Sequence, residues 1–314
     1  MNSYFPPIIS LIVPCHNEEG NIELLYHKIT EQISKLKIDY ELIFIDDGST
    51  DNTFGIIKLL SQINPKLKSI RLSRNFGHQA AIIAGLNHCN GDCLIMMDAD
   101  LQHPPELIPE MIQKWIDGYD IVNTIREDSD DISFFKRVTS IGFYKIINQI
   151  SKTKIEAGSA DFRLLDRKVI DSFNEIEEYS LFIRGMINWV GFSSTSIPYK
   201  ANERFSGTSK YSLRKMLSFA VDGITSFSSA PLHISMIFGL ICSFLSFIYM
   251  IYALYINFFT DKALEGWTSI IISILFIGGI QLISIGILGE YLSKIFYEVK
   301  KRPRYLIRNK LGFE

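Results

Sequence analysis

Two long apolar runs near the carboxyl end limit the fold more than any other feature. "LHISMIFGLICSFLSFIYMIYALYINF" starts at Leu232 and "WTSIIISILFIGGIQLISIGILG" starts at Trp267, and neither contains Asp, Glu, Lys or Arg. Each exceeds the roughly 20 residues that cross a bilayer. Two buried core helices are the competing reading, but runs of this length rarely serve a soluble core. The expected spans are about 232–257 and 267–289, closing a two-helix anchor over 231–290. Lys262 is the one basic residue of the short break between them. Lys294, Lys300, Lys301, Arg302, Arg304, Arg308 and Lys310 follow the second run, and Lys210, Arg214 and Lys215 precede the first. The positive-inside rule then puts both termini and the head in the cytoplasm of a multi-pass inner (plasma) membrane protein. No basic segment precedes "IISLIV", so no signal peptide is expected.

The rest of the chain reads as a soluble head. Short Ile- and Val-rich runs ("IISLIV", "YELIFI", "KSIRLS", "DCLIMM", "YDIVNT") alternate with helical patterns such as Ile22, Leu24, Leu25, Ile29 and Ile33. That alternation implies an α/β, Rossmann-like, mostly parallel sheet with helices on both faces. Cys15, Cys89, Cys93 and Cys242 form no metal or C-x-x-C spacing and read as packing residues of a reducing compartment. The net charge of −2 says little about partners by itself, and no nucleic-acid partner is expected.

Ligands of such sheets bind beyond the carboxyl ends of the strands, and the unusual residues fall there. His16, Asn17 and Glu18 end the first strand, Asp46 and Asp47 the second, Arg74 and Asn75 the third, Asp98 and Asp100 the fourth, and Arg126 the fifth. One polar turn is ordinary; five at one edge describe a site. "MMDADLQHPPE" leaves a buried strand for two carboxylates one residue apart, which either form a solvated turn before Pro104 and Pro105 or share a cation. No phosphate-loop or G-x-G-x-x-G pattern occurs. A divalent ion on Asp98 and Asp100, Mg2+ or Mn2+, would serve phosphates instead.

The blocks "VPCHNEE", "IDDGSTD", "SRNFGHQAAIIAG", "DADLQHPPE", "ADFRLLDR" and "RFSGTSKY", followed by the two-helix anchor, resemble the family 2 inverting glycosyltransferases of GT-A fold. Within them the chain is most similar to the polyprenyl-phosphate branch, the bacterial bactoprenol glucosyltransferases and dolichol-phosphate mannose synthase. The resemblance implies that Pro14, His16, Asn17, Glu18, Asp46 and Asp47 hold the nucleotide, joined by Asp98. It implies Asp98, Asp100 and Gln102 at metal and diphosphate, and Asp161, Arg163 and Asp100 at the reacting centre. Arg126, Arg204 and Lys210 are its candidates for gripping phosphates. Asp46 and Asp47 could instead cap a helix, and Arg163 could pair with Asp161 or Asp166. His78 stands where a lysine is associated with this block, which puts a charge contact there in doubt; His103 has no assigned role.

The implied reaction moves a sugar, glucose first, from a UDP-sugar to undecaprenyl phosphate at the cytoplasmic leaflet, in cell-envelope glycan modification. Other UDP-sugars (N-acetylglucosamine, galactose, a modified pentose) and GDP-mannose are the alternative donors. A flippase, a downstream transferase and a homo-oligomer are the partners such a product could call for. A non-enzymatic lipid-binding or flippase-associated protein is the competing class, and it would have no use for both carboxylates. The stretches beginning at Ile132 and Ser209 carry apolar faces with basic residues. The second, running into the first apolar span, reads as an interfacial helix, and the first as either an interfacial helix or an ordinary amphipathic helix packed on the head. The expected limits are therefore a head over 1–208, an interfacial helix over 209–230, the anchor, and a basic tail over 291–314.

Overall fold

The computed structural model describes residues 7–36, 38–127, 159–178, 183–200, 225, 228–259 and 266–313. Arg204, Lys210 and both expected interfacial stretches lie outside them, save Thr225 and residues 228–230.

Eight strands form one sheet in the order β7-β5-β6-β4-β1-β2-β3-β8. The first half follows the alternation in the sequence: β1 (Ile8–Cys15), α1 (Ile22–Ser34), β2 (Asp39–Asp46), α2 (Thr53–Ile63), β3 (Leu67–Leu72), α3 (His78–Leu86) and β4 (Cys93–Met96). After a 3-10 turn come α4 (Ile108–Ile116) and β5 (Ile121–Arg126). β6 (Ser159–Asp166), α5 (Arg167–Asn174), α6 (Ile183–Trp189) and β7 (Ser194–Tyr199) complete the head as far as the sheet's first edge. β1 is parallel to β2 and β4, β2 to β3, and β5 to β7. The central strands are buried on both faces, as helix-covered parallel strands must be. Ile22, Leu25, Ile29 and Ile33 of α1 pack with Ile57 and Leu60 of α2 and with Ile108, Met111 and Ile112 of α4 on one face. The buried side of α3 joins Val169, Ile170 and Phe173 of α5, and α6, on the other. Cys15, Cys89 and Cys93 are buried free thiols.

Two strands depart from the simple alternation. β6 inserts antiparallel between β4 and β5. Its register sets Met96 opposite Arg163, so two residues further on Asp98 and Asp161 come level at the same edge. The second departure concerns the segment expected as a basic tail. Its first ten residues extend α8 (Trp267–Lys300), and Ile307–Leu311 forms β8, antiparallel to β3. Ile307 and Phe313 pack against the core beside α3, while Arg308 and Lys310 project outward, a charged edge that resists further pairing. The chain therefore returns from the hairpin into the head.

α7 (Ala230–Phe259) and α8 are 30 and 34 residues long, roughly 45 and 51 Å at the α-helical rise. Both carry stretches long and apolar enough to cross a membrane, Ala230–Tyr252 and Phe276–Lys300. Phe238, Leu240, Phe244 and Phe276 point outward. Ser235 and Ser284 hydrogen-bond between the helices at 2.6 Å. Such a pairing suits a setting without water.

Candidate active site

The loops after β1 and β2 are laced together. Asn17 has a left-handed backbone (φ 56°), which Asn tolerates better than most residues. Its amide N–H donates to Ser49 Oγ (3.0 Å), and its Oδ1 accepts from the Thr50 N–H (2.8 Å). The Glu18 N–H donates to Thr53 Oγ1 (2.8 Å) and the Asn52 N–H to Glu19 Oε2 (2.9 Å). His16 Nδ1 lies 2.9 Å from the Asp47 carbonyl, a contact that requires the proton on Nδ1.

Neither aspartate of this pair caps a helix. Asp46 is fully buried; its Oδ1 accepts from the Ser49 N–H (2.9 Å), and its Oδ2 lies 3.1 Å from Arg71 Nε. Asp47 accepts from the N–H groups of Phe76 (2.7 Å) and Gly77 (2.9 Å), holding the loop that precedes α3. Gly48 is required between these loops: its φ is +64°, and a Cβ there would sit 2.4 Å from the Arg74 carbonyl carbon.

The opposite wall comes from β4 and β6. β4 stops at Met96, so Asp98 and Asp100 lie in a turn rather than along an extended strand. Asp100 Oδ1 accepts from the Gln102 N–H (3.1 Å), and Leu101 takes a positive φ of 61°. His103, given no role from the sequence, is buried and stacked on Phe162 with centroids 5.2 Å apart. Its Nδ1 accepts from the Asp98 N–H (3.0 Å), which puts the ring proton on Nε2, 3.8 Å from Asp98 Oδ2. His78, at the start of α3, sets Nε2 3.4 Å from Asp98 Oδ1 and 3.5 Å from Asp161 Oδ2. The doubtful position is thus central. Only the long-range register that brings α3 and β6 together reveals it.

Between the walls lies a cleft of about 440 Å³. Pro14, His16, Glu18, Asp47, Asp98, Asp100 and Asp161 line it; Asn17, Asp46, Gln102, Arg126 and Arg163 do not. Arg126 sits at the exposed end of β5. Arg163 is 1% exposed; its Nη2 donates to the Ala160 carbonyl (2.6 Å) and lies 3.8 Å from Asp161 Oδ1. It reaches the cleft through Asp161. Asp166 is taken up elsewhere, by Trp115 Nε1 (2.6 Å) and by the Lys168 N–H (3.0 Å) at the start of α5.

The described lining contains five carboxylates and no lysine or arginine. Burial, and then the charges of Asp46, Glu18, Asp47 and Asp51, push the Cys15 thiol well above its usual range, so it is no nucleophile here. Among the described residues no three His, Cys, Asp or Glu side chains form a closed metal site. Asp98 and Asp100 supply hard oxygen donors at an open cleft, a donor set that fits Mg2+ or Mn2+ completed by phosphate oxygens.

Comparisons with known proteins show the family. The model of glycosyl transferase family 2 matches residues 10–173. The chain belongs to that family. This family 2 glycosyltransferase is 42% identical over 305 residues to the uncharacterized glycosyltransferase YkcC of Bacillus subtilis, covering 97% of this chain and 94% of the relative. It is 41% identical over 302 residues to the bactoprenol glucosyl transferase of Shigella phage SfX, covering 96% and 99%. Among solved structures, the mannosyl-3-phosphoglycerate synthase of Rubrobacter xylanophilus superposes with a TM-score of 0.50 at 14% identity, covering 69% of this chain and 71% of that one. The fold of the transferase is GT-A, with the two apolar helices appended.

Proposed function

We propose that this transferase moves glucose from UDP-glucose to undecaprenyl phosphate at the cytoplasmic face of a membrane, with inversion at the anomeric carbon. What carries the reading is the convergence of Asp98, Asp100 and Asp161 on one cleft, in a family 2 head whose last strand leads back from a two-helix hairpin. The similarity to bactoprenol glucosyl transferases over nearly the whole chain supports the donor and the acceptor. Because β8 belongs to the same sheet as the catalytic strands, both ends of the hairpin return to one side, which supports the cytoplasmic placement of both termini.

Pro14, His16 and Glu18 form the wall for the nucleoside. Asp46 and Asn17 act behind it by fixing its shape. Asp98 and Asp100 would hold the divalent ion, with Gln102 supporting Asp100 through its N–H. When bound, that ion offsets charge between the acidic cleft and the diphosphate and stabilises the departing UDP as a Lewis acid. An acceptor phosphate oxygen forms the new bond to the anomeric carbon as the bond to UDP breaks. A phosphate monoester has its second pKa near ~6, so the nucleophile is already largely dianionic and needs no general base. Asp161 therefore orients the acceptor or supports charge developing at the sugar. Product used on the far side of the membrane would need a separate flippase.

The test is a donor screen with full-length protein in detergent, Mg2+ and undecaprenyl phosphate. Radiolabelled UDP-glucose, UDP-N-acetylglucosamine, UDP-galactose and GDP-mannose are run in parallel, with and without chelator. Chelator-sensitive label in lipid from UDP-glucose is the expected result; label from another donor alone would reassign the sugar. Asp161→Asn should slow single-turnover transfer about 100-fold, the scale of a lost orienting or charge-stabilising carboxylate, and complete loss would restore an essential base.

A further inference from the structure

His78 occupies a position that the reading above leaves without a task. It begins α3, directly after Gly77, whose N–H is held by Asp47 and whose φ of 101° turns the chain into the helix. The ring stands at the helix end and faces two acidic groups from different strands. Nε2 is 3.4 Å from Asp98 Oδ1 and 3.5 Å from Asp161 Oδ2. Across Asp161, Arg163 Nη2 lies 3.8 Å from the other carboxylate oxygen, Oδ1. The two oxygens of Asp161 thus face two different nitrogen groups, one from its own strand and one from α3.

One N–H cannot serve two carboxylates well. Both distances exceed the ~3.2 Å reach of a good N–H···O bond, so the ring is shared between acceptors. Asp98 is the acceptor that nucleotide and cation would claim. Once it is claimed, Asp161 remains for the ring. Resting on the transferase reading, we infer that His78 is a positioning residue: in the donor-loaded cleft its Nε2–H holds Asp161 Oδ2, while Arg163 flanks Oδ1.

This arrangement removes the rotational freedom of a carboxylate that meets the acceptor or the sugar. β6 fixes the Asp161 backbone, and the two nitrogen groups fix the plane of its carboxylate. A phosphate-gripping role for His78 fits less well, because a phosphate at Nε2 would stand against both Asp98 and Asp161. The ring's surroundings suit a carboxylate partner, not an anionic ligand.

The experiment compares wild type, His78→Ala, His78→Gln, Asp161→Asn and the double variant His78→Ala/Asp161→Asn, all full length. Single-turnover transfer is measured at saturating donor and acceptor, and donor affinity by calorimetry with UDP and Mn2+. Loss of the contact in His78→Ala should slow transfer roughly 10- to 100-fold, the range of one hydrogen bond to a charged group. UDP affinity should stay within about twofold, since a residue acting on a carboxylate in the reacting state moves kcat and not donor binding. His78→Gln, whose amide nitrogen can donate from nearly the same place, should recover most of the rate. Adding His78→Ala to Asp161→Asn should cost much less than it does in wild type. Additive losses, or a glutamine variant as slow as the alanine variant, would overturn the inference. So would an unchanged rate with a raised KM for the lipid phosphate, which would make His78 an acceptor ligand.

A thermal-unfolding cycle on wild type, the two single variants His78→Ala and Asp161→Asn, and their double variant, in Mn2+ and UDP, reads the pair without the reaction. Non-additive shifts support the contact and additive shifts overturn it. If wild type labels no lipid from any donor, the polyprenyl-phosphate acceptor falls, and this cycle still decides the fate of the His78–Asp161 pair.

Discussion

The two walls of the cleft are built on opposite plans. In the loops after β1 and β2, polar groups are spent on one another: Asn17, Asp46, Asp47, Ser49, Asp51 and Thr53 bond to neighbouring backbone or among themselves. The turn after β4 and the start of β6 instead bring Asp98, Asp100 and Asp161 to the lining of the cleft, with His78 beside both Asp98 and Asp161. Buried polar groups that satisfy one another make a rigid template. Carboxylates gathered at one cleft repel one another, and a bound cation offsets that repulsion. Similar residue types thus give shape on one wall and chemistry on the other.

The sharpest way to break this comparison is to neutralise the chemical wall. Asp98→Asn and Asp100→Asn should each lower transfer on the order of 10³-fold, the scale of losing several kcal/mol of stabilisation at the leaving group. Both should keep the melting temperature within about 2 °C of wild type, because they remove charge repulsion and no core contact. A large fall in melting temperature would mean that this wall is structural as well.

The template wall should fail in the reverse order. Asp47→Ala strips the acceptor from two N–H groups, and Gly48→Ala forces a Cβ into the Arg74 backbone at positive φ. Each should cost about 2–4 kcal/mol, lowering the melting temperature by roughly 5–10 °C. Thermal unfolding in detergent measures this directly. Full stability in Asp47→Ala would show that the loop before α3 holds itself.

The smallest effect is a pH dependence. Burial pushes the Asp51 carboxyl up, but bonds from the Thr53 hydroxyl, the Thr53 N–H and the Glu19 N–H outweigh it and hold the group below its usual range. A lowered carboxyl contributes stability above its unfolded pKa, near ~3.9, and loses it as pH falls through the folded value. Asp51→Asn should therefore melt slightly below wild type at pH 7, with the gap closing below about pH 4. A gap that persists at pH 3 would assign the effect to shape and not to charge.

Much of this was legible in order along the chain. The alternation of strands and helices, the buried face of α1, the two apolar helices and the polar residues at the strand ends all follow from local period and composition. Pro14, His16, Glu18, Asp47, Asp98, Asp100 and Asp161 do come together at one cleft. What the residues could not reveal is direction and depth. Asp46 and Asp47 are neighbours of one type, yet one is sealed beneath the sheet edge against Arg71 and the other faces the cleft while clasping the loop before α3. A two-residue periodicity says that they point to opposite sides and says nothing of what waits there.

The same limit separates the rest. The sequence by itself determined a helix-covered parallel sheet, two helices apolar enough to cross a membrane, and an acidic edge suited to a cation, because each depends on the spacing of near neighbours. Only the tertiary structure decided that β6 runs antiparallel beside β4, that the last strand returns to β3, and that His78 and His103 stand on either side of Asp98. Strand partners are chosen across long stretches of chain by which edges remain open and which side chains fill the core, and no local pattern records that choice.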